Sequence, residues 1–237
     1  MNFSKLDILS HSLGLVSIAS MATVSLAACT ATTNPEISAS NSPVVVTPSP
    51  KLSTPSTMHN MNNMHMGNMA MDLGPADANF DLRFIDGMIP HHQGAVVMAK
   101  EAQQKSERPE IKKLADEIIK AQTKEIAELQ TWRKQWYASA GNKPMAYDAK
   151  MGHMMEMSSD QINGMMMNQD LGAKDTNFDL RFINAMIPHH EGAVTMAQSA
   201  ATKSTRPEIK KLAQDIISSQ QAEIKQMQQW KQEWYKK

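Results

Sequence analysis

The chain has 237 residues, room for one or two domains, and its 24 basic residues against 24 acidic ones exclude capture of nucleic acid or of a charged membrane surface by bulk electrostatics. A single cysteine, Cys29, excludes an intrachain disulfide framework and a thiolate zinc site. The composition does supply methionine, 21 residues of it, far more than gap filling in a core requires.

Residues 1–29 open with a short region containing Lys5, continue through ILSHSLGLVSIASMATVSL and close on LAAC. That is the form of an export signal, its apolar segment too interrupted by polar residues for a membrane span. Leu26 to Cys29 resembles the bacterial lipoprotein box, which implies lipid attachment at Cys29; the alternative is an ordinary cleaved signal with an incidental thiol. Both place the mature chain outside the cytoplasm, periplasmic or extracellular, meeting a membrane only through a lipid anchor.

Residues 30–76 begin as a tether, because Thr30 to Thr57 is rich in Thr, Ser, Pro and Asn and cannot bury enough apolar surface to offset chain entropy. They continue into MHNMNNMHMGNMAM, where Met58, His59, Met61, Met64, His65 and Met66 form a strand of soft ligands without Leu, Ile, Val or Phe to build a core; a packed segment is the alternative.

Residues 77–137 read as a helical hairpin. Asp77 is placed to cap a helix with apolar positions Phe80, Phe84, Met88, His91, Ala95, Met98 and Ala102, ending near Lys105. After the SERP turn, Pro109 suits the first turn of a second helix reaching about Tyr137, with Ile111, Leu114, Ile118, Leu129, Trp132 and Trp136 inward. So short a connection makes the pair antiparallel. In register, His91 then lies level with Gln122 and Met88 with Glu125, two polar residues in an otherwise apolar seam that could orient a ligating imidazole.

Residues 138–176 link this hairpin to the next. They hold eight methionines, of which Met151, Met154, Met155 and Met157 with His153 form a second soft-ligand cluster. Ser158 or Ser159 can cap a short helix running into the MMM triplet at 165–167, which suits packing as well as ligation. Residues 177–237 repeat the hairpin at an offset of 98: 38 of 61 positions agree between Asp77–Tyr137 and Asp175–Tyr235, and Met186, His189, His190, Met196, Gln220 and Glu223 return in place. Each hairpin has one apolar face, so the expected fold is all-α, a four-helix bundle of two repeated hairpins with Met-rich flanks.

The chemistry centres on the duplicated MIPHH segments. Adjacent histidines flanked by thioethers, Met88, His91, His92 and Met98 and their partners in the second copy, are either metal ligands or hydrogen-bonded core residues, and unpartnered burial would cost about 1–3 kcal/mol for each imidazole. FxxxMIPHHxGAxxMA followed by RPEIKKLAxxII, QxxEI and a Trp-rich end resembles the bacterial domain-of-unknown-function family numbered three hundred and five. That resemblance, over about Asp77 to Tyr235, implies a ferritin-like helical bundle and binding of Cu(I) and Ag(I) for metal tolerance.

Thioethers are soft and carry no proton, so they suit Cu(I), with Ag(I) as its surrogate, and mixed His and Met also admit Cu(II). The expected function is therefore copper sequestration without catalysis, with a copper-transfer protein as partner. Two rivals are a di-metal ferritin-like oxidase, for which the long helices lack a Glu-x-x-His pair, and a metal-free envelope interaction protein. Imidazole ligation competes with protons near a pKa of about 6.5, so the histidine sites should weaken between about pH 7.5 and 5 while thioether sites persist.

Overall fold

The computed structural model describes residues 70–166 and 169–236. All belong to the second of two units into which the chain divides, the first ending at Thr57. In order they form α1 (Phe80–Lys105), α2 (Pro109–Trp136), a 3-10 turn (Ala138–Ala140), β1 (Met145–Asp148), β2 (His153–Glu156), α3 (Ser159–Met166), α4 (Phe178–Lys203) and α5 (Pro207–Tyr235). The described chain is mostly helical, and the two copies of the repeat give the same hairpin.

Local chemistry explains the boundaries. Pro109 and Pro207 stand at the first positions of α2 and α5, where the missing N–H has no helical partner to lose. Asp77 does not cap α1, whose cap position is Asn79. Its carboxylate instead accepts the Asn79 N–H at 2.9 Å and pairs with Arg83 at 3.0 Å, closing an Asx turn ahead of the helix; Asp175 does the same for Asn177 and Arg181. Ser158 caps α3 reciprocally: its hydroxyl accepts the Gln161 N–H at 3.2 Å while Gln161 Oε1 accepts the Ser158 N–H at 2.8 Å.

The duplication begins earlier than Asp77. Asp72-Leu73-Gly74 recurs as Asp170-Leu171-Gly172, each Asp accepting the glycine N–H at 2.8 Å, with glycine φ of 72° and 76°. Arg83 and Arg181 bind the Leu73 and Leu171 carbonyls at 2.7 and 2.6 Å, fixing each lead-in loop to its own helix. The loops are also held by the opposite copy. Lys105 donates to the Gly172 carbonyl at 2.6 Å, and Lys203 to the Gly74 carbonyl at 2.8 Å. Arg108 lies 4.1 Å from the Trp234 ring centre and 3.6 Å from Asp179, while Arg206 lies 4.2 Å from Trp136 and 3.4 Å from Asp81.

The expectation of an all-helical chain is corrected by β1 and β2. They pair antiparallel with Met145 opposite Glu156, Ala146 opposite Met155, Tyr147 opposite Met154 and Asp148 opposite His153. Four-residue strands are too short for period-2 alternation to stand out in a Met-rich stretch, and tertiary contacts specify them. The buried Asp86 carboxylate accepts Arg133 Nε at 2.5 Å and the Met145 N–H at 2.8 Å. Tyr147 lies over Gly74, where an added Cβ would stand 2.5 Å from the ring. In the second copy, Asn184 and Lys231 replace Asp86 and Arg133, and Asn184 is exposed.

Two apolar clusters fill the interior. One joins Phe80, Phe84 and Met88 of α1 to Leu129 of α2, Met165 of α3, Met196 of α4 and Ile209 of α5. The other joins Met98 of α1 and Ile111 of α2 to Phe178 and Met186 of α4 and Met227 of α5. Each therefore draws on all four long helices.

Candidate metal centre

Met88 shares a cluster with Met196, and Met98 with Met186, so α1 and α4 run antiparallel across the molecule with the two His pairs between the methionine pairs. The helices place them there because His91 falls on the same face as Met88 and Met98, and His189 on that of Met186 and Met196. His91 and His189 meet across this interface, ring centres 3.9 Å apart and planes tilted by 54°. His92 and His190 turn toward their own hairpins. All four rings are buried, none more than 1% exposed.

Hydrogen bonding selects the tautomers. His189 Nε2 lies 3.2 Å from the Met166 carbonyl, which can only accept, so Nε2 carries the proton and Nδ1 keeps a lone pair. His190 Nε2 is 2.5 Å from Glu223 Oε2, with the same consequence for its Nδ1. His92 Nε2 stands 2.8 Å from Glu125 Oε2 but off the line of a hydrogen bond. No partner in the described residues reaches Nδ1 of His92, His189 or His190, or either nitrogen of His91. Unpartnered imidazole nitrogens in such number inside a protein fit a ligand set better than a satisfied core.

Electrostatics point the same way. Burial pushes His189 down to about 3, assisted by the neighbouring His190, and holds His91 well below the usual imidazole value, assisted by His189. Both rings are neutral bases at ordinary pH, the form in which imidazole ligates. Among the described residues no three His, Cys, Asp or Glu side chains gather as a metal site. The side chains that flank the two His pairs are thioethers, donors of soft character.

The other sequence-derived candidates are more scattered. Gln122 and Gln220 are buried, each with an unpartnered Oε1. Glu125 meets His92 rather than Met88, one residue's rotation and one turn from the simple register. Strand alternation divides the linker candidates: Met151 at the hairpin tip is 67% exposed, His153 is exposed, Met154 and Met155 are half-buried on opposite faces, and Met157 is buried. Met58, His59, Met61, Met64, His65, Met66 and Cys29 lie outside the described residues.

Sequence reasoning missed one buried thioether, Met227, and left the role of another, Met165, open. Met227 occupies the place of Leu129, so the Met98–Met186 end gains a third buried methionine; that one Leu-to-Met difference between otherwise matching inward positions was the available signal. Met165 joins Met88 and Met196 from α3, which lies against Gly94, where a Cβ would come within 1.6 Å of the Met166 carbonyl. A glycine in mid-helix is the trace of that approach.

The sequence model of a family described as Domain of unknown function (DUF305) matches residues 30–133 and 81–231. Among solved structures, CopM in the Cu(I)-bound form is 46% identical, with a TM-score of 0.51 over 66% of this chain and 98% of that one. CopM in the Cu(II)-bound form is 48% identical, with a TM-score of 0.52 over 65% of this chain and 97% of that one. CopM in the Ag-bound form by soaking is 45% identical, with a TM-score of 0.52 over 66% of this chain and 98% of that one. An uncharacterized protein of Acanthamoeba polyphaga mimivirus is 49% identical over 49 residues, 21% of this chain and 32% of that protein. The match thus spans about a third of that relative's length.

Proposed function

The chain belongs to the DUF305 family, and on that premise we propose that it is a copper-binding protein that sequesters Cu(I) outside the cytoplasm through Met and His ligands. The observation that carries this is the set of unpartnered imidazole nitrogens where His91 and His189 meet, flanked by Met88 with Met196 and by Met98 with Met186. The likeness to CopM, solved with Cu(I), Cu(II) and Ag, supports the choice of metal. We read the paired hairpins as a four-helix bundle of ferritin-like type, and the reciprocal Lys and Arg braces support that reading.

Copper here is cargo, and the chain's own work is to bind and hold it. His92 and His190, each against a carboxylate, complete the imidazole set, while Met151, His153, Met154, Met155 and Met157 with the segment 58–71 add capacity. An export signal and a lipid anchor at Cys29 would put this store beside a bacterial membrane, from which a transfer protein could draw. The fit to thioether and imidazole donors favours binding over oxidase chemistry, which needs clustered carboxylates.

Titration with Cu(I) against a competing chelator tests the reading. Replacing His91, His92, His189 and His190 with Ala should abolish the tightest class of sites, and wild type should take more than one Cu(I) per chain and prefer it to Zn(II). A four-histidine variant with unchanged affinity and capacity would show the histidines to be structural.

A further inference from the structure

We infer that Glu125 is the hand-over ligand through which the cation passes from solvent to His92. This rests on the copper-binding reading. The His92 ring has no exposed surface, yet Glu125, with Oε2 2.8 Å from His92 Nε2, keeps 14% of its side chain exposed. Glu223 stands 2.5 Å from His190 Nε2 as a hydrogen-bond acceptor, so that carboxylate is fixed on its ring. Glu125 thus bridges a sealed imidazole and the outside.

Glu125 forms part of the wall of a cleft of about 390 Å³ between α2 and α5, lined also by Glu117, Lys120, Lys124 and Glu128 of α2 and Asp215 of α5. Three of the four carboxylates are matched by ammonium groups, Glu117 by Lys113, Glu128 by Lys124 and Asp215 by Lys211, so among the described residues Glu125 is the carboxylate of this wall without a lysine partner. Only Glu125 of the four touches a core histidine. Its contact with His92 lacks hydrogen-bond alignment, and His92 Nδ1 is unpartnered, so the carboxylate is not locked onto the ring and the ring retains a donor for the ion.

In the transfer the bond from the cation to the Glu125 oxygen breaks as one to a His92 nitrogen forms. Ligation takes a ring nitrogen that carries no proton, so the step requires no proton acceptor, the charge of the pair with its ion is unchanged and nothing is oxidised. A carboxylate is a hard ligand that holds Cu(I) or Ag(I) weakly, which favours release inward to softer donors. A passage of this kind lowers the barrier in both directions and leaves the end states alone.

The test uses the full chain and Ag(I), with uptake followed by rapid mixing with a silver indicator and affinity measured separately by competition. In Glu125→Gln, uptake and release should both slow on the order of tenfold while the equilibrium affinity stays within about twofold. Circular dichroism checks that the variant is folded. A fall in affinity on the order of 10–100-fold, carried by faster release, would mean that the carboxylate only orients the ring and would overturn the proposal. Reversing the exposed mouth, Lys120→Glu/Lys124→Glu, should speed uptake several-fold at low salt and lose that effect at high salt; unchanged uptake in both variants also overturns it. Wild type that takes up no Ag(I) would remove the copper reading itself, an outcome distinct from these.

Discussion

Charging His91 or His189 means placing a cation in an apolar interior beside other imidazoles, so acid acts on this protein through its unfolded state. An unfolded histidine accepts a proton near pH 6.5, whereas His189 resists until about 3 and His91 is displaced in the same direction. Because the folded values are depressed, stability is fully present above about pH 6.5 and is lost as pH falls toward the folded values. Urea unfolding of the metal-free protein between pH 7 and pH 4 should show that loss, with each of the two histidines contributing up to about 1.4 kcal/mol per pH unit. His189→Gln should remove about one proton from the slope; an unchanged slope would place the acid sensitivity elsewhere. The same burial moves the acid-sensitive range of the His91 and His189 pair below that of a free imidazole, whose ordinary pKa had set it between about pH 7.5 and 5.

At the scale of elements, α3 and the strand pair are the parts that the duplicated pattern does not contain. α3 rests on Gly94, so Gly94→Ala should unseat it, costing about 1–3 kcal/mol in unfolding experiments and raising protease susceptibility around residues 157–166. The strand pair depends on Asp86, where burial pushes the carboxyl up against the pull of Arg133. Asp86→Ala leaves that guanidinium without its buried partner and frees the Met145 N–H, and should cost about 3 kcal/mol with faster hydrogen exchange at Met145. Protection at Met145 equal to wild type would show the hairpin to be self-supporting. The long helices were legible because Pro109, the apolar spacing around His91 and the 98-residue offset are local signals. The strands were not, since what holds them is a carboxylate 59 residues away in sequence. At the centre, the identities of the histidines and of Met88, Met98, Met186 and Met196 could be read from spacing. Met165 could not, because only the path of the linker brings it to Met88.

Across the whole molecule the two repeats are fastened by groups each lends to the other. Arg108 and Arg206 reach over Trp234 and Trp136 with guanidinium groups about two-fifths exposed, which places each stacking contact in the range of about 0.5–1 kcal/mol. Arg108→Ala/Arg206→Ala should lower unfolding free energy by about 1–2 kcal/mol in all, and Trp fluorescence should report the change at both ends. A loss confined to one end would mean that the two fastenings are not equivalent.

Lys105 donates a hydrogen bond to the Gly172 carbonyl, and Lys203 does the same at Gly74. A swap of this kind is what two identical halves related by a twofold axis would make, each patch meeting its own copy. An ancestor with a single repeat would thus have met the same bonds by dimerising, and a dimer of equals can change only in matched pairs. Fusion into one chain ends that constraint. Asp86 could acquire a hairpin to hold while Asn184 stayed bare, and Leu129 could stand where its counterpart is Met227, so that the third buried methionine comes from α5 at one end and from α3 at the other.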